Sequence, residues 1–191
     1  MNELTHTVRP ERRSDADDVR TVTLAAFGSH GDSEVTGEAE AALIDLLRSR
    51  GKAVISLVAT ATPPAPVETD KEERVVGHVL FSEVTVEADN PTRVLGLAPL
   101  SVHPDAQGRG VGTALVLQGL EACRAAGYDA VVVLGEPGYY GRFGFEKASE
   151  HGLANEYGAD DAFMVLGLLP GVLVRLKGIA RFAPEFGEVG A

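Results

Sequence analysis

The sequence predicts a mixed α/β domain, and three observations predict it. Segments of strand character and segments of helical periodicity follow one another in the order β-α-α-β-β-β-α-β-β-β. Residues 130–134 (AVVVL) are apolar throughout, the pattern of a fully buried strand. With 191 residues, 45% of them hydrophobic, the chain fits one domain or one domain with a tail. We read a single domain over residues 1–191, with a core of about 5–168 and a C-terminal extension at 169–191.

Residues 5–9 alternate around Val8 and read as a first strand. Ser14 is followed three residues later by Asp17, a carboxylate variant of the capping box. A helix is expected from there to about Phe27, with Ala16, Val19, Val22 or Thr23, and Ala26 on one face and Gly28 as its stop. Residues 28–36 (GSHGDSEVT) read as a polar loop. A second helix places Ala39, Ala42, Leu43, Leu46 and Leu47 at helical spacing, with Arg48 and Arg50 in its last turn and Gly51 beyond. Residues 53–59 read as a buried strand and 61–74 as a proline- and charge-rich surface loop between hairpin strands. Residues 75–86 form a long strand, and 94–102 another, interrupted by Gly96 and Pro99. Proline removes a ladder donor, so Pro99 marks a bulge or a splay. Residues 111–126 form a helix closed by Gly127, before the buried strand at 130–134 and two short strands at 145–148 and 163–168.

Composition excludes several classes. Cys123 is the only cysteine, so no intramolecular disulfide and no cysteine-based zinc cluster can form. Within its helix it reads as a small buried hydrophobe, not an acyl carrier. The five histidines, His6, His30, His78, His103 and His151, show no ligand spacing, and no metal is expected. The net charge of -11, from 17 basic and 28 acidic residues, argues against a nucleic-acid partner. It could draw cationic amines to a cleft, or serve solubility alone. Residues 1–13 lack the apolar region of a signal peptide. The most apolar stretch, residues 163–174, is only twelve residues long and contains Pro170, too short to span a bilayer. The expectation is a cytoplasmic protein with no membrane partner.

Chemistry concentrates in residues 100–113 (LSVHPDAQGRGVGT), where a strand ends and a glycine-rich turn runs straight into a helix. Gly108, Gly110 and Gly112 remove side chains that would hold a ligand off the backbone. The first helical amides lack intrahelical partners and carry the positive end of the dipole. That suits an anion, most simply phosphate, and Arg109 adds a charge that can pair with its oxygens. The alternative is a tight turn shaped by glycine alone. A P-loop needs Gly-Lys-Ser or Gly-Lys-Thr after its spacer, and none is present. A dinucleotide fingerprint needs Gly or Ala where Thr113 stands, and an acidic residue at the end of the next strand, whereas Asp129 precedes that strand. A nucleotide-dependent oxidoreductase is therefore disfavoured.

The run Gln107-Gly108-Arg109-Gly110-Val111-Gly112 fits Gln/Arg-x-x-Gly-x-Gly/Ala. Here the chain resembles the GNAT superfamily of acyl-CoA-dependent N-acyltransferases, whose members hold the coenzyme A pyrophosphate on this loop. Residues 97–112 look like the family's fourth strand and following turn, and residues 132–145 (VVLGEPGYYGRFGF) like its fifth strand and tyrosine segment. Residues 163–186 resemble the tail of an uncharacterised bacterial branch of that superfamily. The first half of the chain matches only in its order of elements.

The resemblance implies a GNAT fold: a central, mostly antiparallel sheet flanked by helices and splayed between its fourth and fifth strands. It implies that the pantetheine arm lies in the splay against Leu100, Ser101 and Val102, one of whose amides faces the thioester carbonyl. It implies acetyl-CoA as cosubstrate, with its pyrophosphate on Gln107, Gly108, Arg109, Gly110, Val111 and Gly112. Tyr140, four residues before Gly144-Phe145, matches the family's general acid for the departing thiolate, with Tyr139 as a packing residue. A phenol is protonated at neutral pH and can donate to sulfur. Many relatives carry a glutamate base on the fourth strand, but no carboxylate lies between Val94 and Val102. Glu83, His103, Glu136 and a water chain remain open for that role. The expected reaction is acetyl transfer to a primary amine, small-molecule or peptide, entering over the first-helix loop and residues 136–140. A homodimer is an open assembly. The alternative is a non-catalytic acyl-CoA-binding or sensory module on the same fold.

Overall fold

The computed structural model describes residues 5–28, 37–62, 73–87 and 92–190. Their strands are β1 (His6–Pro10), β2 (Ala53–Ala61), β3 (Arg74–Val86), β4 (Val94–Val102), β5 (Ala130–Leu134), β6 (Glu146–Lys147), β7 (Leu153–Asn155), β8 (Phe163–Gly167) and β9 (Gly178–Arg181). The helices are α1 (Ala16–Phe27), α2 (Gly37–Ser49), α3 (Val111–Ala125), α4 (Pro137–Tyr140), α5 (Val172–Arg175) and α6 (Glu185–Val189). The sheet order is β1-β2-β3-β4-β5-β8-β6. All neighbours run antiparallel except β4 and β5, which are parallel because α3 carries the chain back between them. The loops read at 28–36 and 61–74 fall largely on residues 29–36 and 63–72, outside the described residues.

Alternation along β3 feeds two cores. Leu80 and Val84 face Val19 and Val22 of α1 and Leu43, Ile44 and Leu47 of α2. Val79 and Phe81 face Leu115, Val116, Leu120 and Cys123 of α3. Cys123 is buried as expected, and burial pushes its thiol up to about 12. The segment at 169–190 is built into the first core: Leu176, Ala180, Phe182 and Phe186 join the α1–α2 cluster. Within it β9 adds to the end of β3, pairing Arg181 with Thr85, and β7 pairs with β9.

Three local expectations are corrected. Ser14 and Asp17 do not cap α1; Asp15 reaches back to the Arg12 amide at 2.7 Å and holds Arg9 at 2.7 Å, which closes a 3-10 turn ahead of the helix. The core face of α2 is Ala41, Leu43, Ile44 and Leu47, whereas Ala39, Ala42 and Leu46 are half-buried. A rotation of one position is invisible when every third or fourth residue is apolar. The strand expected at 145–148 shrinks to Glu146–Lys147, because Phe145 turns into the α3-side core against Tyr140. The short strands β7 and β9 carry no periodicity of their own, and they exist because their backbones find partners at the end of β3.

A buried polar chain lies beneath α2. His78 on β3 is fully buried, and its Nε2 lies 2.8 Å from the Ser56 hydroxyl on β2, which donates to Glu11. Arg48 of α2 pairs with the other oxygen of Glu11 at 2.5 Å. Burial alone would raise the Glu11 carboxyl, but the hydrogen bonds from His78 and Ser56 and the Arg48 charge hold it well below the ordinary range. Burial holds His78 neutral by lowering its pKa. Both shifts act the same way. The unfolded chain binds protons more readily, so stability falls as pH drops below about 6.5 for His78 and below about 4.3 for Glu11. Glu11→Gln should cost about 2 kcal/mol at neutral pH and flatten the loss of stability below pH ~4.3. Urea denaturation from pH 7 to pH 3 reads both; parallel curves for variant and wild type would contradict this account.

Candidate active site

The site grows from the end of the β4–β5 pairing. The two strands are in register only from Val94–Ala130 to Gly96–Val132. Beyond that point β4 carries one extra residue relative to β3: Val79 opposes Leu100, but Phe81 opposes Leu97. The bulge falls at Ala98-Pro99, where the proline was expected to interrupt the ladder. Past Gly96 the backbone groups of β4 that point away from β3 have no strand beside them, which leaves polar positions for a ligand.

At the C-terminal end of β4, a 3-10 turn at Pro104–Ala106 leads into the glycine loop. Gln107 donates from Nε2 to the Val102 carbonyl at 3.0 Å and so ties the loop to the strand. Gly110 caps α3 with φ of 82°, a left-handed conformation in which a side chain is strained. A cavity of about 560 Å³ opens here. Its walls include Leu100 and Val102 of β4, the loop residues Gln107, Gly108, Gly110, Val111, Gly112 and Thr113, and Ala26 and Phe27 at the end of α1. Tyr139 and Arg142 complete it. Ser101 points to the opposite face, is buried, and donates to Thr23 of α1 at 3.2 Å. Arg109 is exposed and does not line the cavity.

The two tyrosines take different places. The Tyr139 hydroxyl abuts the first turn of α3: a β-carbon on Gly112 would lie 2.7 Å from it. The Tyr140 ring is buried against Gly135, just past the end of β5, where any β-carbon would collide with it. It packs edge-on to Tyr139 and Phe145, at 5.0 and 5.7 Å between centroids. Tyr139 therefore stands at the loop end of the cavity, whereas Tyr140 is buried beside Gly135 at the end of β5 and does not itself line the cavity. Burial raises the pKa of both phenols, most strongly for Tyr140.

None of the three side chains considered as base lines the cavity. Glu83 lies beside Tyr128, whose hydroxyl donates to it at 3.3 Å, and borders a separate cavity with Lys52 and Arg181. The His103 ring accepts from the Asp105 amide at 3.3 Å and lies 3.1 Å from Arg74. Glu136 is exposed and accepts from the Gly138 amide at 3.3 Å, capping α4. Among the described residues no group of three or more His, Cys, Asp or Glu is placed to hold a metal, and no helix is long and apolar enough to cross a membrane.

The sequence model of the Acetyltransferase (GNAT) family matches residues 56–145. The uncharacterized N-acetyltransferase YhbS of Escherichia coli K12 is 37% identical over 152 residues, which are 79% of this chain and 85% of that one. The chain belongs to the GNAT acetyltransferase family. Among solved structures of this family, YhbS from Escherichia coli in complex with CoA superposes with a TM-score of 0.82 at 32% identity, covering 98% of this chain and 94% of that one. A GNAT family acetyltransferase from Brucella melitensis in complex with acetyl-CoA gives 0.72 at 33% identity, covering 95% and 98%. The expected GNAT fold is the observed one: a mostly antiparallel sheet, one parallel pair at its centre, and helices on both faces. The cavity lining also includes two residues of the GYYGRFGF run beyond the expected set: Tyr139, which packs on Tyr140 and Phe143 as expected, and Arg142.

Proposed function

We propose that this chain transfers an acetyl group from acetyl-CoA to a primary amine by direct attack. The observation that carries the reading is the cavity itself. It runs from the glycine loop to unpaired β4 backbone, and it lies in a fold whose relatives were solved with CoA and acetyl-CoA. The pyrophosphate sits on the loop from Gln107 to Gly112, and the pantetheine arm pairs with the free edge of β4 at Leu100–Val102. The amine nitrogen attacks the thioester carbonyl carbon, and a β4 amide donates to the oxygen as it becomes anionic, a contribution of about 3 kcal/mol in comparable sites. The C–S bond then breaks, and Tyr140 gives its proton to the thiolate. Its raised pKa keeps that proton available at neutral pH. With no carboxylate or imidazole among the described cavity residues, the amine proton leaves to water, which reprotonates Tyr140. The entry route over the first-helix loop involves residues 29–36, outside the described residues. The lack of a lining carboxylate favours one second reading, an acyl-CoA-binding module without turnover.

Amine-dependent release of coenzyme A from acetyl-CoA, measured across a panel of small amines and peptide N-termini, separates the two readings. Release with at least one acceptor is expected; binding of acetyl-CoA with no release across the panel favours the module. Gly110→Asp adds a strained backbone and a carboxylate facing phosphate, and should abolish coenzyme A binding in titration calorimetry with the circular dichroism spectrum retained. Unchanged affinity would place the pyrophosphate elsewhere. Tyr140→Phe should lower kcat by about 10²- to 10⁴-fold and leave the Kd for acetyl-CoA within a few-fold, in single-turnover measurements that exclude product release. A wild-type rate for that step would remove Tyr140 from the role of acid.

A further inference from the structure

Among the described residues that line the cavity, Arg142 is the only one with a charged side chain. In a chain with 28 acidic residues, Arg9, Arg20, Arg48 and Arg50 are each held by carboxylates. Arg142 has no such partner among the described residues. Its Nε donates to the Tyr139 carbonyl at 3.2 Å, and its guanidinium lies over the Tyr139 ring at 4.5 Å from the centroid and near the Phe143 ring at 5.4 Å. These contacts fix the plane of the guanidinium and use Nε alone. Both terminal nitrogens remain available as a fork, the geometry that matches phosphate oxygens. The ring that carries Arg142 also meets α3, because the Tyr139 hydroxyl abuts Gly112 in the first helical turn. Arg142, itself open to solvent, thus borders a cavity that it shares with the glycine loop and whose described lining holds no carboxylate, while Arg109, the cation of the loop itself, is exposed and does not line that cavity.

We propose that Arg142 binds a phosphate group of coenzyme A across the cavity from the glycine loop, with Tyr139 as the positioning residue that holds its guanidinium. This rests on the coenzyme A reading above. Two phosphates of the coenzyme share this chemistry, the pyrophosphate and the ribose 3′-phosphate.

Titration calorimetry with coenzyme A, dephospho-coenzyme A and acetylpantetheine tests the proposal. Arg142→Ala should weaken coenzyme A by about 10- to 100-fold, the range for a charge-assisted hydrogen-bonded contact. An equal loss for dephospho-coenzyme A assigns the contact to the pyrophosphate; a loss confined to coenzyme A assigns it to the 3′-phosphate. Acetylpantetheine has no phosphate, and its affinity should not change. Arg142→Lys keeps a point charge without the fork and should recover part of the loss. Tyr139→Leu should weaken coenzyme A several-fold, and adding Arg142→Ala to it should cost much less than in the wild type, since both act through one contact. Arg142→Ala should not lower the melting temperature of the unliganded protein. Coenzyme A binding within twofold of wild type in Arg142→Ala, or an equal loss for acetylpantetheine, overturns the proposal. Failure of the wild-type chain to bind coenzyme A at all is instead a failure of the coenzyme reading, and the proposal falls with it.

Discussion

Two parallel strands that stop pairing part-way along their length set the terms for the rest of this structure. β4 and β5 are joined by three register pairs, from Val94–Ala130 to Gly96–Val132, and then diverge. Leaving backbone donors and acceptors unpaired inside a sheet is costly unless water or a ligand satisfies them. The bulge at Ala98-Pro99 releases β4 from strict register with β3 just where it leaves β5. Because the strands are parallel, the connection between them must cross a face of the sheet, and that crossover is α3. Its N-terminus therefore falls at the open end of the gap. The cavity, the glycine loop and the tyrosine segment after β5 all follow from that single interruption.

Electrostatics around the gap run against the protein as a whole. The chain carries a net charge of -11, yet the described residues of the cavity wall hold one charge, and it is positive. Arg142 keeps this place because an aromatic face and a carbonyl oxygen hold it where, among the described residues, no carboxylate competes. The α3 dipole and the helix-first amides add to it from the loop. On the far side of the sheet the balance is the reverse: Glu11, Ser56 and His78 form a chain closed by Arg48, so the buried carboxylate is paired and the buried imidazole stays neutral. This polar chain ties β2 and β3 to α2 beneath them.

The C-terminal residues are a structural part of the same unit. Leu176, Ala180, Phe182 and Phe186 pack into the α1–α2 core, and Glu185 of α6 is buried between Arg50 and Lys52. Their pairing at the end of β3 lengthens the sheet on the side away from the loop. Removing them would open the core under α2, since aromatic side chains bury much of the apolar area there.

The sequence by itself determined the element order, the buried β5, the bulge at Pro99 and the glycine loop, because each rests on local chemistry: apolar runs, a missing amide donor, a missing β-carbon. It also carried the family resemblance through Gln107–Gly112 and the GYYGRFGF run. The tertiary structure decided what depends on which residues meet. Asp15 in place of Ser14 and Asp17 closes the turn before α1, because Arg9 on β1 lies within its reach. Strands β7 and β9 form because the end of β3 offers partners. Glu83, His103 and Glu136 are carboxylate and imidazole groups by sequence, but each is turned to a local partner outside the cavity. Arg109 and Arg142 are equal cations in the sequence. Arg142 takes its orientation from its own neighbours Tyr139 and Phe143, but only the fold sets that segment against the first turn of α3 at Gly112 and so makes Arg142, and not Arg109, line the cavity.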